Sequence, residues 1–167
     1  DTRTLCEALC ARLESSFCPA TQDIELCRRA LNLMNDAFGC APLMVRLSQE
    51  DVCALVGQLL DRLIDRALGN FAKEDSSHVL KTINVLMLKL LQHAPRGTTL
   101  AGLLTLAARR AAAATPPSQI DDLLLKCLSK CTRVVGPEVA SDTFDLAAIL
   151  EAMHALHAAR PPPAAAA

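Results

Sequence analysis

Apolar side chains recur along this chain at spacings of three and four, the period of a helix packed on one side. Seven segments show the pattern, and between most of them lies a stop or a cap. Residues 2 to 18 place Leu5, Leu9, Leu13 and Phe17 at four-residue spacing and stop at Pro19. Residues 21 to 38 use Ile24, Cys27, Leu31, Met34 and Phe38, then end at Gly39. A third segment starts at Ser48, whose hydroxyl can accept a free amide, and Glu50 and Asp51 follow where the positive end of a helix favours acids. It runs to Leu68 with Val52, Leu55, Val56, Leu59, Leu60, Leu63 and Ile64 on its apolar face.

The fourth segment, from Ser76 and Ser77 through His93, is apolar nearly all the way round. That predicts a helix buried on several sides. Asn84 stands within the run, and a buried amide there would need a partner on a neighbouring helix. Pro95 and Gly97 end it, and Thr99 is placed to cap a fifth helix that enters the alanines at 111 to 114. The sixth, 119 to 135, carries Ile120, Leu123, Leu124, Cys127, Leu128, Cys131 and Val134 on one side, with Asp122, Lys126, Lys130 and Arg133 on the other. The seventh, 143 to 159, uses Leu146, Ile149, Leu150, Met153 and Leu156.

Helices of this length joined by short breaks pack as antiparallel neighbours. Their starts imply a helix pair every ~40–50 residues, the period of HEAT-type repeats. The expected fold is all-α, a HEAT-like αα-solenoid of about seven helices in antiparallel pairs. Residues 1 to 159 read as one helical domain, and 160 to 167 as a low-complexity Pro/Ala tail expected to be disordered.

Composition agrees with helices. Hydrophobic residues make up 51% of the chain, yet aromatics are four Phe with no Tyr or Trp. A core must therefore be built from Leu, Ala, Val, Ile, Met and Cys, the palette of packed helices. A chain of this length can bury roughly two-thirds of its unfolded surface without metals or disulfides. The net charge of −1 lacks the basic footprint of a nucleic-acid binder. No apolar run approaches the roughly 20 residues that cross a bilayer, so neither nucleic acid nor membrane is expected as a partner. Of the eight cysteines, Cys6 and Cys10, like Cys127 and Cys131, lie four apart within helical stripes. Cysteine behaves there as a small hydrophobe. With no signal-type apolar stretch after Asp1, the expectation is a reducing compartment.

Candidate chemistry is sparse. His154 and His157 are three apart on the last helix, but no thiol or carboxylate matches them, so neither metal nor other cofactor is expected. Phosphate-cradling glycine loops and a nucleophile elbow are missing from the sequence, which argues against an enzyme. The strongest polar feature is the stripe Lys126, Lys130, Arg133, whose spacing of four and three holds three cations on one helix face. Its plain reading is a solvated face; its functional reading is a contact for an acidic partner.

The stretch Lys81-Thr-Ile-Asn-Val-Leu-Met-Leu-Lys-Leu-Leu91 resembles the carboxy-terminal, TOG-like helical region of the ch-TOG / mini spindles family of microtubule polymerases. The likeness continues through Leu100-Ala-Gly-Leu-Leu-Thr-Leu106, the run from Leu123 to Val135, and Phe144 to His154, with Arg29 to Asp36 as its clearest part nearer the amino terminus. The resemblance implies a HEAT-like, non-catalytic interaction module of a protein that promotes microtubule growth and organises spindles and centrosomes in the cytoplasm. The implied partner is a TACC-type coiled coil or another spindle or centrosome adaptor, with tubulin as the alternative. Tubulin-binding TOG domains carry a Trp on the first inter-helix loop; this chain has none, so no tubulin-contact residue is carried over.

Overall fold

The computed structural model describes residues 1–18, 23–113, 118–135, 139 and 144–159. The expected tail at 160 to 167 lies outside them, as does the expected stop at Pro19. Helix starts follow local chemistry, in which a side-chain oxygen accepts an otherwise unpaired amide. In α1 (Thr2–Ser16) the Asp1 carboxylate accepts the amide of Arg3, and in α2 (Ile24–Gly39) Asp23 accepts those of Glu25 and Leu26. A short helix, α3 (Ala41–Met44), follows with proline in its first turn. Ser48 opens α4 (Gln49–Leu63) with a reciprocal box. Its hydroxyl accepts the Asp51 amide at 3.2 Å while the Asp51 carboxylate accepts the Ser48 amide at 2.9 Å.

The third segment does not reach Leu68 as one helix. It ends at Leu63 because Asp65 caps a separate 3₁₀ turn (Arg66–Asn70), accepting the Ala67 amide at 2.8 Å. The next helix, α5 (Lys73–His93), begins three residues before the expected serines. Ser76 lies inside its first turn and donates to the Leu68 carbonyl at 2.6 Å, tying helix to 3₁₀ turn. Likewise α6 (Arg96–Ala112) starts directly after Pro95, and the Thr99 hydroxyl donates to the Pro95 carbonyl at 2.9 Å rather than capping. The last two helices are α7 (Gln119–Val135) and α8 (Leu146–Ala159).

These eight α-helices, with no strand among the described residues, form the expected all-α, HEAT-like αα-solenoid with its helices in antiparallel pairs. The helix beyond the expected seven is the single turn α3. Two layers are visible in the packing. In the first, α1 lies on α4, α4 on α6 and α6 on α8; behind it, α2 lies on α5, and α7 rests on α6 and α4. One core runs between the layers, with Leu13, Phe38, Leu55, Leu59, Ile83, Leu90 and Leu103 almost fully buried. Each such side chain contributes about 1.5–3 kcal/mol of hydrophobic stabilisation.

The first layer is drawn tight by small residues. A methyl group added at Gly102 of α6 would stand 2.9 Å from the Gln49 carbonyl and the Val52 Cβ of α4. On the other side of α6, Gly97 faces Phe144 and Asp145, just ahead of α8. The second layer is joined by polar ties between α2 and α5: Arg28 to Asp75 at 2.6 Å, Lys89 to Asn35 at 2.7 Å, and the His93 ring to the Phe38 carbonyl at 3.1 Å.

Two expected faces are rotated. On α1 the buried stripe is Cys6, Leu9, Leu13 and Phe17, and Leu5 is 42% exposed. A strict spacing of four drifts around a helix whose turn is shorter than four residues, whereas alternating threes and fours stay on one side. On α5, Val85 and Leu88 are 48% and 40% exposed although the run around them is continuously apolar.

Candidate functional site: an apolar groove with a lysine rim

The exposed apolar side of α5 has a geometric cause. Whereas α4 and α6 pack closely, α5 and α7 barely meet, and between them lies an open groove of about 390 Å³. Leu60 and Leu63 of α4 form its floor. Met87, Leu88 and Leu91, with Asn84 at the edge, form the α5 wall. The α7 wall consists of Leu123 and Cys127, with Lys126 and Lys130 at its rim. A second, smaller depression of about 180 Å³ shares Leu91 and Lys130 and carries the groove on past Gln92 to Arg96.

The spacing along each wall follows from helix geometry. Asn84, Met87, Leu88 and Leu91 are i, i+3, i+4 and i+7, as are Leu123, Lys126, Cys127 and Lys130. Each helix therefore presents two turns of one face, a length of about 10 Å. Leu91 and Lys130 border the same depression, so the two walls run in the same direction. Same-layer helices of a solenoid do so.

The structure thus brings Lys126 and Lys130 of the predicted cationic stripe together at the groove. Arg133 is exposed on the same helix but lies outside the groove lining. Among the described residues neither lysine has a carboxylate within ion-pairing distance, although Asp122 precedes Lys126 by one turn. The neighbouring Asp121 is engaged elsewhere: its carboxylate pairs with Arg110 at 2.7 Å and accepts the Ser118 amide at 2.7 Å. The groove lining therefore carries positive charge without negative charge.

Asn84 is exposed at the groove edge, where its amide donates to the Leu80 carbonyl of its own helix at 3.0 Å. That corrects the expectation of a buried amide bonded across to a neighbouring helix.

The buried and half-buried cysteines behave as hydrophobes, while Cys18 and Cys40 are exposed. Burial pushes the Cys127 thiol up, against the weaker pull of the Lys130 charge. Burial raises Cys131 to about 11 and Cys6 to about 12. Protonated thiols of this kind are poor nucleophiles and poor metal ligands at neutral pH. His154 and His157 are exposed on α8, and among the described residues no three His, Cys, Asp or Glu side chains converge in a metal-holding arrangement. No helix of the described residues is long and apolar enough to cross a membrane.

Sequence reasoning misses the groove, because it assigns Leu88 to the core together with Leu91, Leu123 and Cys127, of which Leu91 is buried and the other two are half-buried against the core. The available signal is the all-round apolar character of α5. Such a helix needs neighbours on more sides than two layers supply, so one side is bound to remain uncovered.

No family model matches the chain, and no solved structure matches it. Two plant proteins do. "Protein MOR1" of Oryza sativa subsp. japonica is 30% identical over 139 residues, covering 77% of this chain. "Protein MOR1" of Arabidopsis thaliana is 28% identical over 139 residues, again covering 77%. The chain spans about 7% of the length of these relatives. The likeness to both MOR1 proteins runs over most of this chain.

Proposed function

We propose that this chain is a non-catalytic protein-interaction module of a microtubule-associated polymerase, and that it supports microtubule growth and spindle and centrosome organisation by binding a partner protein. The observation that carries the reading is the uncovered groove between α5 and α7, apolar within and cationic at its rim. A concave, mostly apolar hollow of this size with a few polar groups at its edge has the usual form of a binding site. The likeness to MOR1 supports the microtubule setting, and with it a cytoplasmic, cytoskeletal location. Placement within the carboxy-terminal part of such a protein, and a TACC-type coiled coil as partner, belong to this proposal and rest on the resemblance described above.

Direct binding of tubulin is the second reading. It is favoured by the exposure of Lys126, Lys130 and Arg133 on α7, a cationic face suited to an acidic surface. The two readings differ in salt dependence: a screened surface contact weakens steeply between low and physiological ionic strength, and apolar docking does not. Calorimetric titration of the chain against a TACC-type coiled coil and against tubulin, each at both salt concentrations, decides between them. Binding of the coil alone, weakened by salt only by the share that its contacts to Lys126 and Lys130 supply, is the expected result. Binding of neither sinks both readings.

A further inference from the structure

We infer that the α5–α7 groove is a seat for one amphipathic helix of a partner protein, whose leucine-type ridge fills the space over Leu60 and Leu63 and whose acidic flank meets Lys126 and Lys130. The inference rests on the interaction-module reading and deepens it, by naming the surface and the chemistry of its occupant.

Shape comes first. Walls of two helical turns on either side of a leucine floor match the i, i+3, i+4, i+7 ridge with which helices dock in grooves. The occupant takes the place in the second layer where α5 and α7 fail to meet, while the first layer beneath stays closed by the α4–α6 contact. Charge then sets its polarity. Among the described residues the charged side chains lining the groove and its extension are all cationic, Lys126 and Lys130 on one wall one turn apart and Arg96 at the far end, and no described carboxylate lies within ion-pairing distance of either lysine. Lys81 lies one turn before Asn84 on α5 and is exposed as well. An acidic flank beside the α7 wall is attracted, and a basic one is repelled. The exposure of Leu88 shows that the groove edge is open in the isolated chain, so an occupant need not displace any part of the fold.

The test uses the whole chain and two designed helical peptides with the same leucine ridge, one flanked by Glu and the other by Lys. Methyl NMR of the leucines and methionines reports where each peptide sits. The Glu-flanked peptide is expected to shift Met87, Leu88, Leu91 and Leu123. The double variant Lys126→Glu/Lys130→Glu is expected to lose about tenfold in affinity for that peptide and to gain comparably for the Lys-flanked one, since close charge pairs at an interface act with either sign. Leu88→Gln, at a half-exposed position that leaves the fold intact, is expected to weaken both peptides. Shifts that map elsewhere, equal binding of the two peptides to both proteins, or binding of neither overturns the inference. Groove resonances that move with protein concentration alone overturn it in favour of a second copy of the chain as occupant. The same variants separate this inference from the reading beneath it. A coiled coil bound equally by wild type and variants removes the groove and keeps the adaptor; capture of the acidic helix without binding of coil or tubulin keeps the groove and removes the adaptor.

Discussion

The α4–α6 contact and the α5–α7 gap are made by successive helix pairs of the same solenoid, yet one is closed to the limit of steric contact and the other stays open. On the closed side residue size is decisive. At the first, Gly102 lets the α6 backbone approach Gln49 and Val52, and Gln49 and Arg109 add polar links to Thr105 and Glu50 across the same interface. At the second, Leu88 of α5 and Lys126 of α7 border a gap that the two helices do not close. Two layers of one array can therefore serve different ends: a continuous first layer holds the array together, and an interrupted second layer offers surface.

The sharpest way to break the closed side is a single methyl group. In Gly102→Ala the new Cβ would lie 2.9 Å from a backbone oxygen and from the Val52 Cβ, atoms that cannot swing away like the end of a long side chain. The gain in helix propensity over glycine is about 1 kcal/mol, and overpacking costs about 1–3 kcal/mol, so a net loss of up to about 2 kcal/mol is expected. Gly57→Ala, on the α4 side, is the control with the opposite sign. Its Cβ meets only the Leu106 Cδ1 at 3.6 Å, an ordinary contact. Propensity should stabilise that variant by about 0.5–1 kcal/mol. Urea unfolding of both variants measures the pair; loss of stability in neither would mean that α4 and α6 do not approach as closely as described.

A smaller effect is expected where α6 hands over to α7. The Arg110 guanidinium on Asp121, helped by the Ser118 amide and hydroxyl, holds that carboxyl down at about 2 from an ordinary value of 3.8. A depressed folded-state value stabilises the fold above the unfolded value and loses that contribution as pH falls through the folded one. The pair's share is therefore complete above about pH 5 and disappears between about pH 4 and 2. Both side chains are partly exposed, so after screening Asp121→Asn should cost no more than about 1 kcal/mol at pH 7. Thermal unfolding at pH 7 and near pH 2.5 checks it: the gap between wild type and variant should narrow in acid, and a gap independent of pH would assign the loss to packing instead.

The closed side and the open side are not equally legible in the sequence. The buried faces of α2 and α4 can be read residue by residue, Cys27, Leu31, Met34 and Phe38 on one and Val52 through Leu60 on the other. Alternating spacings of three and four define a single stripe there. Ser48 announces its helix start through the acids that follow. The stripe of Lys126 and Lys130 is also visible, since helical spacing fixes which residues share a face. The groove beside them is not. Whether Leu88 or Leu123 meets a neighbour depends on how close α7 comes to α5, and that is set by α6, held between α4 and α8 by Gly102 and Gly97. A glycine within a helical run reads as a weak position in sequence; its role as the point of closest approach exists only once the partner helix is placed.

The smallest expected effect is the most informative about the open side. Leu88 is an apolar residue in the middle of a long helix, and by sequence alone its truncation to alanine should cost the roughly 2–5 kcal/mol of a core leucine. In the structure it is 40% exposed and borders an open groove, so little transfer energy is lost and no closed cavity forms. Alanine's better helix propensity offsets part of the remainder. Leu88→Ala is expected to change unfolding free energy by no more than about 0.5 kcal/mol, in the range of surface substitutions. Leu86, two residues away on the same helix and fully buried, sets the contrasting scale. Both can be read from urea midpoints at constant slope. A loss near that of Leu86→Ala would mean that α5 and α7 close on each other in solution. A silent Leu88→Ala that abolishes partner binding would place this leucine's contribution in recognition and not in folding, because the only apolar surface it can then cover is the partner's.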